Sequence, residues 1–412
     1  MEVSTLIKDI TPELPIGLAG FAHREAYTDS VYAPIFLKLF LFSEGKQTKI
    51  IVIADLIWWD DNFVSETKDE ICRKYNINVQ DVIFHATHNH SGPQTSEKFS
   101  EQLGKYDQNY VRWLKNEVLR SFELLIKSPR IKVTLEEYTG KSEIGVYRRK
   151  IVDGSCLMLP NLTTEIDDTL TVLLLKDVNH KNVAGLIHFS CHPTCTDENA
   201  VSSEYVGVCC EKVSRELDGI PVAFLQGFSG DIRPCLINDG TFYRGRLSDM
   251  KALGLRVAED VRRILTSQPA IVEEFQFCTE KLTLPLLFTR ATNEHEDSTL
   301  MTEWRNLTKN VADEQMLNIT YWRLSKEVGF IFCNAEMVQS YGQKIAGIDS
   351  TVLPVAYSDG MIGYVADELQ LEEGGYESNQ FIYYFNLKGK LNRKSAQKVI
   401  SNLECLVRRN IK

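Results

Sequence analysis

The chain has 412 residues, of which 43% are hydrophobic and 25% are charged, proportions typical of a soluble globular protein with a large core. Its 56 acidic residues outnumber the 46 basic ones, and the resulting net charge of -10 argues against nucleic acid or an anionic membrane as the main partner. No apolar run approaches the ~20 residues that span a bilayer, and the first residues lack the pattern of a secretion signal. We therefore expect a cytoplasmic protein with no stable membrane insertion. Its oligomeric state is left open.

The regular elements expected from hydrophobic periodicity and turn residues alternate along most of the chain. In chain order, they are strands at 35–42 and 50–54, a helix at 61–75, a strand at 81–87, a helix from Asp107 to Ser128, a strand at 183–189, a helix at 203–217, a strand at 221–226, a helix at 246–265, a strand at 328–333 followed by a helix, and a final helix at 393–407. Residues 1–35 read as irregular, and 130–175 as short strands and turns.

Alternation of short apolar strands with helices predicts an α/β protein, in which helices flank a layered, mixed β-sheet. The segment 289–318 is polar and reads as a helical insertion that caps one edge of the core. No repeat, low-complexity segment or linker divides the sequence, so we expect one domain over residues 1–412. The ten cysteines are dispersed without any Cys-x2-Cys pair, which favours reduced, mostly buried thiols over disulfides or a thiolate zinc cluster.

Polar residues follow four of the predicted strands directly. They are His85, His88 and His90 after the strand at 81–87, His192 after 183–189, Ser229 and Asp231 after 221–226, and Glu336 after 328–333. Because ligands collect at the carboxyl ends of strands in α/β sheets, these loops are expected to meet in one cleft. Imidazole and carboxylate ligands from separate loops are typical of a catalytic zinc site at the carboxyl ends of strands.

Each of these residues also has an ordinary structural interpretation. His85 is better explained as a hydrogen-bonded strand residue than as a ligand, and His188, inside an apolar strand, as a satisfied core histidine. Glu336 near a helix start could simply interact with the helix dipole. The joint occurrence of these side chains at strand ends is what favours a metal site.

Several motifs together resemble those of the neutral/alkaline non-lysosomal ceramidases, over nearly the whole chain. They are Asp9-Ile10-Thr11-Pro12 with Gly17–Ala22, His88-Asn89-His90-Ser91-Gly92-Pro93, His192-Pro193-Thr194, Gln226–Asp231, and Tyr357-Ser358-Asp359-Gly360 through Gly375-Tyr376-Glu377. The resemblance implies a catalytic domain of that family without its C-terminal immunoglobulin-like domain.

The resemblance also implies one Zn²⁺ ion and assigns roles to particular residues. The metal ligands would be His88, His192, Glu336 and Tyr376, with Tyr364 as the competing tyrosine. His90 would be a catalytic neighbour of the metal that shuttles protons, and the Arg148–Arg149 segment would contact substrate. In the predicted assignment, His90, Arg148 and Tyr364 are catalytic, whereas Arg149, Ser229 and Arg233 bind substrate.

One departure from the family pattern affects the expected chemistry. Ceramidases have Gly-Asp-x-Ser-Pro where this chain has Gly230-Asp231-Ile232-Arg233-Pro234, so a nucleophile-like serine is replaced by Arg233. We therefore expect a zinc-activated water, rather than an acyl-enzyme, to cleave an amide (N-acyl) bond. Since a guanidinium suits carboxylate or phosphate, the expected substrate is a polar or anionic small molecule rather than ceramide.

Three alternatives stay open at this point. Arg233 could instead form a structural ion pair with Asp231. The protein could be an esterase or lactonase that uses the same metal, or a non-catalytic binding protein that the metal merely stabilises. Iron or manganese would also suit histidine, carboxylate and phenolate ligands.

Overall fold

A computed structural model describes residues 1–24, 26–290 and 304–411. Its eight longer or well-bounded helices are α1 (Asp61–Tyr75), α2 (Gln108–Lys127), α3 (Glu204–Glu216), α4 (Leu247–Ile264), α5 (Gln339–Ile348), α6 (Glu368–Glu373), α7 (Phe381–Tyr384) and α8 (Arg393–Arg409). Short 3₁₀ turns at Val79–Asp81 and Glu101–Leu103 and a π-helical turn at Tyr376–Gln380 accompany them. None of these helices is long and apolar enough to cross a membrane.

The strands belong to five sheets. In chain order they are β1 (Glu2–Asp9), β2 (Phe36–Glu44), β3 (Gln47–Ala54), β4 (Val82–Ala86), β5 (Ile131–Lys141), β6 (Gly145–Val152), β7 (Ser155–Asn161), β8 (Thr169–Asp177), β9 (Asn182–Phe189), β10 (Val222–Gln226), β11 (Ile232–Pro234), β12 (Ile237–Asn238), β13 (Thr241–Phe242), β14 (Ala270–Val272), β15 (Cys278–Thr289), β16 (Glu314–Arg323), β17 (Gly329–Cys333), β18 (Glu336–Met337), β19 (Val352–Val355), β20 (Tyr364–Val365) and β21 (Lys390–Leu391).

Two of these sheets build the core. The larger has the order β10-β9-β8-β5-β1-β2-β3-β4, with β14 beside β5, and the smaller has the order β19-β17-β16-β15-β21. The pairs β3–β4, β9–β10 and β17–β19 are parallel, whereas their other neighbours within these two sheets are antiparallel. The sheets are therefore mixed, as expected from the sequence.

The layers follow from which residues pack together. Apolar side chains of both sheets, such as Phe42 and Leu186 of the larger and Phe330 and Val355 of the smaller, form one buried cluster between them. On the outer face of the larger sheet, α1 and α2 cover β2–β4, while α3 and α4 cover β8–β10. Helix α8 contributes to the same cluster as the outer residues of the smaller sheet. The protein is thus a layered α/β structure, which confirms the predicted fold class.

The structure corrects the expectations for two segments. Residues 1–35 were expected to be irregular, but β1 pairs along its full length with β2 and joins the two halves of the large sheet. In 130–175 the strands are longer than expected, up to the 11 residues of β5. Both strands are easy to miss because β1 and β5 mix exposed and buried positions without regular alternation.

The expected helical insertion at 289–318 lies partly outside the described residues. Residues 291–303 lie outside the described part of the chain, 304–307 form a helical turn, and 314–318 begin the strand β16. The strand replaces the expected helix there because residues 314–323 pair on both sides, with β15 and β17.

Candidate metal centre and adjoining cavity

Four side chains from three of the predicted loops converge on one buried point. His88 and His90 follow β4, His192 follows β9, and Glu336 begins the short strand β18 just after β17. The Nε2 atom of His88 lies 3.1 Å from that of His90 and 3.3 Å from Oε2 of Glu336. Oε2 of Glu336 also lies 3.2 Å from Nε2 of His192. The expectation that the strand-end loops meet in one place is therefore correct for these residues.

The other ring nitrogen of each histidine faces a backbone carbonyl. Nδ1 of His88 lies 2.9 Å from the oxygen of Ile57, Nδ1 of His192 lies 2.7 Å from that of Ser229, and Nδ1 of His90 lies 3.2 Å from that of Gly20. A carbonyl oxygen only accepts, so each Nδ1 must donate. In the neutral ring each Nε2 then carries a lone pair. The Nε2 atoms of His88 and His192 lie within 3.3 Å of Oε2 of Glu336, and that of His90 lies beside His88.

This donor set fits a metal ion. The ligand atoms of His88, His90 and His192 lie within 4.8 Å of one another. A tetrahedral ion with ligand bonds of about 2.0–2.2 Å holds neighbouring ligand atoms roughly 3.3–3.6 Å apart, close to the separations of Glu336 from His88 and His192. Oε2 of Glu336 is buried without a hydrogen-bond partner, although two Nε2 atoms are near it. A cation between these atoms would satisfy all of them at once.

Burial keeps the imidazoles of His90 and His192 in the neutral form that binds metal. It lowers the pKa of His192 to about 4, with the nearby Arg148 charge adding to the effect. The pKa of His90 falls well below its usual value through burial and through His88 and His192. Burial alone would raise the pKa of Glu336, but His88 and His192 hold it well below its usual range. A carboxylate beside imidazole nitrogens is an arrangement that attracts a divalent cation.

His88 is held in an unusual backbone conformation. Its φ is 63°, in the left-handed region that costs a side chain with a Cβ roughly 1–2 kcal/mol. The ring of Tyr357 stacks on its imidazole, with centroids 3.9 Å apart and an interplanar angle of 18°. Strain of this kind persists where the surroundings enforce it, typically at functional sites.

A glycine makes room for His90. A Cβ at Gly20, whose φ is +103°, would stand 2.2 Å from Nδ1 of His90. Arg24 binds the backbone of the same residue, since its Nη1 donates to the oxygen of His90 at 2.8 Å. The N-terminal segment 17–24 therefore fixes the position of this imidazole. Neither Gly20 nor Arg24 was predicted to have this role.

The two tyrosines considered as ligands occupy different positions. Tyr364 is the register partner of Glu336 in the β18–β20 pair, and its hydroxyl lies 3.4 Å from Nε2 of His192. Tyr376 packs edge-on against Tyr364 with ring centroids 5.5 Å apart. It makes no hydrogen bond to the histidines or Glu336 within the described residues. Tyr364, rather than Tyr376, is the tyrosine next to the donor cluster.

Arg148 and Arg149 are tied into a buried ion-pair cluster. Arg148 donates from Nε to Glu377 at 2.7 Å and from Nη2 to the hydroxyl of Tyr364 at 3.0 Å. Arg149 donates to the other oxygen of Glu377 at 2.6 Å and to Glu373 at 3.0 Å. Glu377, 1% exposed, thus bridges both guanidiniums. Arg148 is linked to the site by its hydrogen bond to Tyr364, whereas Arg149 binds the carboxylates of Glu377 and Glu373.

Ser229 and Asp231 are also committed to structural hydrogen bonds. Oγ of Ser229 accepts from Gln226 Nε2 at 2.7 Å, and its backbone oxygen orients His192. The Asp231 carboxylate accepts from the backbone of Gln339 and the side chain of Gln370. Burial raises the pKa of Asp231 to about 7.

Arg233 has no such partners. In the part of the chain that the structure describes, its side chain forms neither an ion pair nor a hydrogen bond, and its Nε is buried without a partner. Its guanidinium lies over the ring of Phe242, with Cζ 4.4 Å from the centroid. The alternative of an Arg233–Asp231 ion pair therefore does not hold in this structure.

A cavity of about 310 Å³ joins Arg233 to the donor cluster. Its walls include side chains from both sides of the site. Those that matter here are His90, His192, Arg148, Arg233, Tyr364 and Tyr376. This volume is at the lower end of those found for small-molecule sites. Ser229 and Arg149 do not line this cavity.

The sequence did not indicate several residues that build the site. Tyr357 stacks on His88, Glu377 bridges two arginines, and Arg244 lines the cavity near Arg233. Glu377 directly follows Tyr376 in the Tyr-Glu motif, so the motif itself could have indicated this residue. Arg244 carries no motif, and only the fold brings it to the cavity.

His85 and His188 have the structural roles that the sequence favoured. His85 faces Ala356 through Nδ1, and its Nε2 accepts from the backbone of Gln226 at 3.0 Å. Burial lowers its pKa to about 3, so it stays neutral. Nε2 of His188 lies 2.7 Å from the oxygen of Pro354. Both hold together the strands that carry the loops.

No protein-family model and no curated protein sequence matches this chain. Solved structures do match it. Neutral ceramidase from Pseudomonas aeruginosa is 16% identical, with a TM-score of 0.76, and the alignment covers 99% of this chain and 74% of that one. A structure titled as a ceramidase complexed with C2 is 14% identical, also with a TM-score of 0.76, over 100% of this chain and 75% of that one. The chain therefore has the fold of the neutral ceramidases, as the resemblance of its motifs implied.

Proposed function

We propose that this protein is a metal-dependent hydrolase that cleaves an amide bond in a small polar or anionic molecule. The observation that carries the proposal is the convergence of three Nε2 lone pairs and the Glu336 carboxylate beside a cavity. Two structures with the same fold bear the name ceramidase, which is an amide hydrolase by name. The cavity supports a substrate smaller and more polar than ceramide, because its volume is only about 310 Å³ and the unpaired Arg233 lines it.

His88, His192 and Glu336 would hold the ion, because Glu336 stands at ligand–ligand distance from both histidines. When bound, a zinc-like ion supplies a Lewis acid that polarises a carbonyl and lowers the pKa of water to about 7. Tyr364 is the better supported of the two tyrosines for a place beside the ion, and Tyr376 then forms part of the cavity wall.

The chain's own groups would supply hydrogen bonds and proton transfer. Burial raises the pKa of Tyr364 well above its usual value, so this phenol keeps its proton. Arg148 already donates to the Tyr364 oxygen, which leaves the phenol proton free to stabilise a developing oxyanion. His90 offers an unprotonated Nε2 at the cavity wall, where it can accept a proton and pass it to a leaving amine.

The proposal is tested by metal analysis and by hydrolysis of matched amide and ester probes. Purified protein should contain about one divalent ion per chain, and chelation should abolish amide hydrolysis. His88→Ala and His192→Ala should lose both metal and activity, whereas His180→Asn, at an exposed turn, should keep both. Activity on esters alone would identify an esterase or lactonase, and unchanged activity in metal-free variants would reject the catalytic scheme.

The tyrosines are separated by a second comparison. Tyr364→Phe should lower kcat by roughly 10²–10³-fold, the usual effect of removing one oxyanion donor. Tyr376→Phe should lower it much less, because that hydroxyl makes no hydrogen bond to the donor cluster. The reverse ranking would show that Tyr376, rather than Tyr364, supplies the hydrogen bond to the oxyanion.

A further inference from the structure

One wall of the cavity carries two guanidiniums that the donor cluster does not use. Arg233 comes from β11, and Arg244 from the segment that leads into α4. His23 lies on the same cavity. These groups come from two distant parts of the sequence, near residue 23 and at 233–244, so the charge on this wall is produced by the fold.

The positive charges on this wall are only partly balanced. Asp197 lies 3.5 Å from Arg244 and 2.8 Å from His23, so one carboxylate serves both. Arg233 has no carboxylate partner among the residues described, and its closest neighbour is the face of Phe242. Arg148, the next guanidinium on the cavity, is already neutralised by Glu377. The wall therefore has one uncompensated positive charge, located on Arg233.

This charge is buried as well as unpaired. The Arg233 residue is 8% exposed, and its Nε has no hydrogen-bond partner. Burial, with help from Arg148 and Arg244, lowers the pKa of Arg233 to about 10, so the group is still charged at neutral pH. Removing a cation from water without a partner is unfavourable, and such groups persist where an anion completes them.

Three features identify the missing anion. A guanidinium binds a carboxylate with two parallel N–H···O bonds in one plane. One uncompensated charge calls for a monoanion, whereas a phosphate ester carries about -1.5 to -2. The anion must also lie close to the donor cluster, because Arg233, His90 and His192 line the same cavity of about 310 Å³.

We propose that Arg233, assisted by Arg244, is a carboxylate-binding subsite, and that the substrate is a small amide with a carboxylate a few bonds from its scissile carbonyl, as in an N-acyl amino acid. The assignment of this ligand as substrate rests on the proposed hydrolase function. The subsite itself rests on the charges and contacts of the cavity wall.

The test uses two probes that differ by one group, N-acetylglycine and N-acetylglycinamide. Binding is measured by calorimetry in the wild type and in His88→Ala, which prevents turnover and removes metal-bound anions as an explanation. His88 does not line the cavity. Both proteins should bind N-acetylglycine roughly 10- to 100-fold more tightly than the uncharged amide, the range expected for a charge-assisted hydrogen-bonded pair.

Arg233→Met in the same two backgrounds should remove this preference. Arg233→Lys, which keeps the charge without the planar fork, should retain a reduced preference and shows that a loss in Arg233→Met is not merely misfolding. Arg262→Met changes an exposed arginine of α4 that pairs with Glu259, and it should leave the preference intact.

Equal binding of the two probes by the unmutated cavity, or a preference that survives Arg233→Met, would overturn the subsite. Inorganic phosphate binding more tightly than acetate would overturn the choice of a carboxylate. A clear preference in a protein that hydrolyses no amide would leave the subsite standing and reject the hydrolase. Hydrolysis without any preference would do the opposite.

Discussion

Two buried polar clusters stand side by side in this protein, and they are balanced in different ways. In the arginine cluster, Glu377 places one oxygen on Arg148 and the other on Arg149, so the charges compensate one another. In the donor cluster, His88 and His192 direct Nε2 at Oε2 of Glu336, which has no hydrogen-bond partner among the described residues. Both clusters are equally buried. Burial therefore does not mark a ligand site, whereas an unmet need for a charge or a donor does.

The three arginines predicted to act on substrate differ in the same way. The resemblance to the ceramidases predicted that the Arg148–Arg149 segment contacts substrate. Their guanidinium groups already donate hydrogen bonds to Glu377, Glu373 and Tyr364. The Arg233 side chain has no such bond among the described residues, and we propose that it binds substrate.

The largest effect is expected where the donor cluster loses its only charge. Glu336→Gln keeps the size of the side chain but removes the carboxylate, so metal affinity should fall by more than about 10²-fold, beyond the effect of losing an outer-shell partner. Amide hydrolysis should fall to background. Mass-spectrometric metal analysis and amide assays measure the two effects. Glu327→Gln serves as a control, and a fully metal-loaded Glu336→Gln would show that the cluster is not the binding site.

The balanced cluster should respond through stability. Glu377→Gln leaves two buried guanidiniums short of a partner, so the free energy of unfolding should fall by about 3–5 kcal/mol, in the presence or absence of metal. Urea denaturation measures this. Glu123→Gln, at an exposed pair with Lys127, should cost far less. A loss at Glu377 no greater than that of the control would mean that the cluster adds nothing to folding.

Removing the metal should distinguish the clusters directly. A ligand present at about 100 times its dissociation constant stabilises the folded state by ~2.7 kcal/mol, and chelation should remove that amount from the wild type. The same treatment should not change the stability of His88→Ala, while Glu377→Gln should still respond. Thermal unfolding with and without chelator gives the comparison. An identical shift in His88→Ala would locate the stabilising ion elsewhere.

A third unpartnered charge shows that protonation can relieve such an imbalance without any ligand. Glu137 lies at a separate cavity and has no ion-pair partner among the described residues. Burial, with the charge of Glu327, raises its pKa to about 7, compared with about 4.3 in an unfolded chain. The folded state then binds its proton more tightly, so stability falls as pH rises from about 4 to 7.

Glu137→Gln should remove this dependence. The variant should match the wild type near pH 4 and exceed it by about 1–2 kcal/mol at pH 8, allowing for screening at this half-buried position. Denaturant unfolding across this pH range provides the measurement. Parallel pH profiles for the two proteins would contradict the raised pKa.

Much of this protein could be predicted from local sequence patterns. The periodic segments 61–75, 108–127 and 393–409 are helices because their apolar residues recur on one face, and capping residues such as Asp60, Asp107 and Asn392 begin them. The strand ends at His85–Pro93 and after 182–189 were likewise evident. The metal-site assignment of His88, His192 and Glu336 remains a prediction that their geometry supports.

Other features depended on contacts between distant residues. The strand β1 exists because β2 and β5 offer it partners, and its own pattern does not show this. The resemblance favoured Tyr376 as the ligand over Tyr364, but the pairing of β18 with β20 sets Tyr364 beside Glu336. The sequence by itself determined which side chains are available and which elements carry them, because periodicity, caps and turns act over a few residues. Only the tertiary structure decided which charges are balanced, since Glu377, Asp197 and Gly20 reach their partners across 70 to 230 residues of chain.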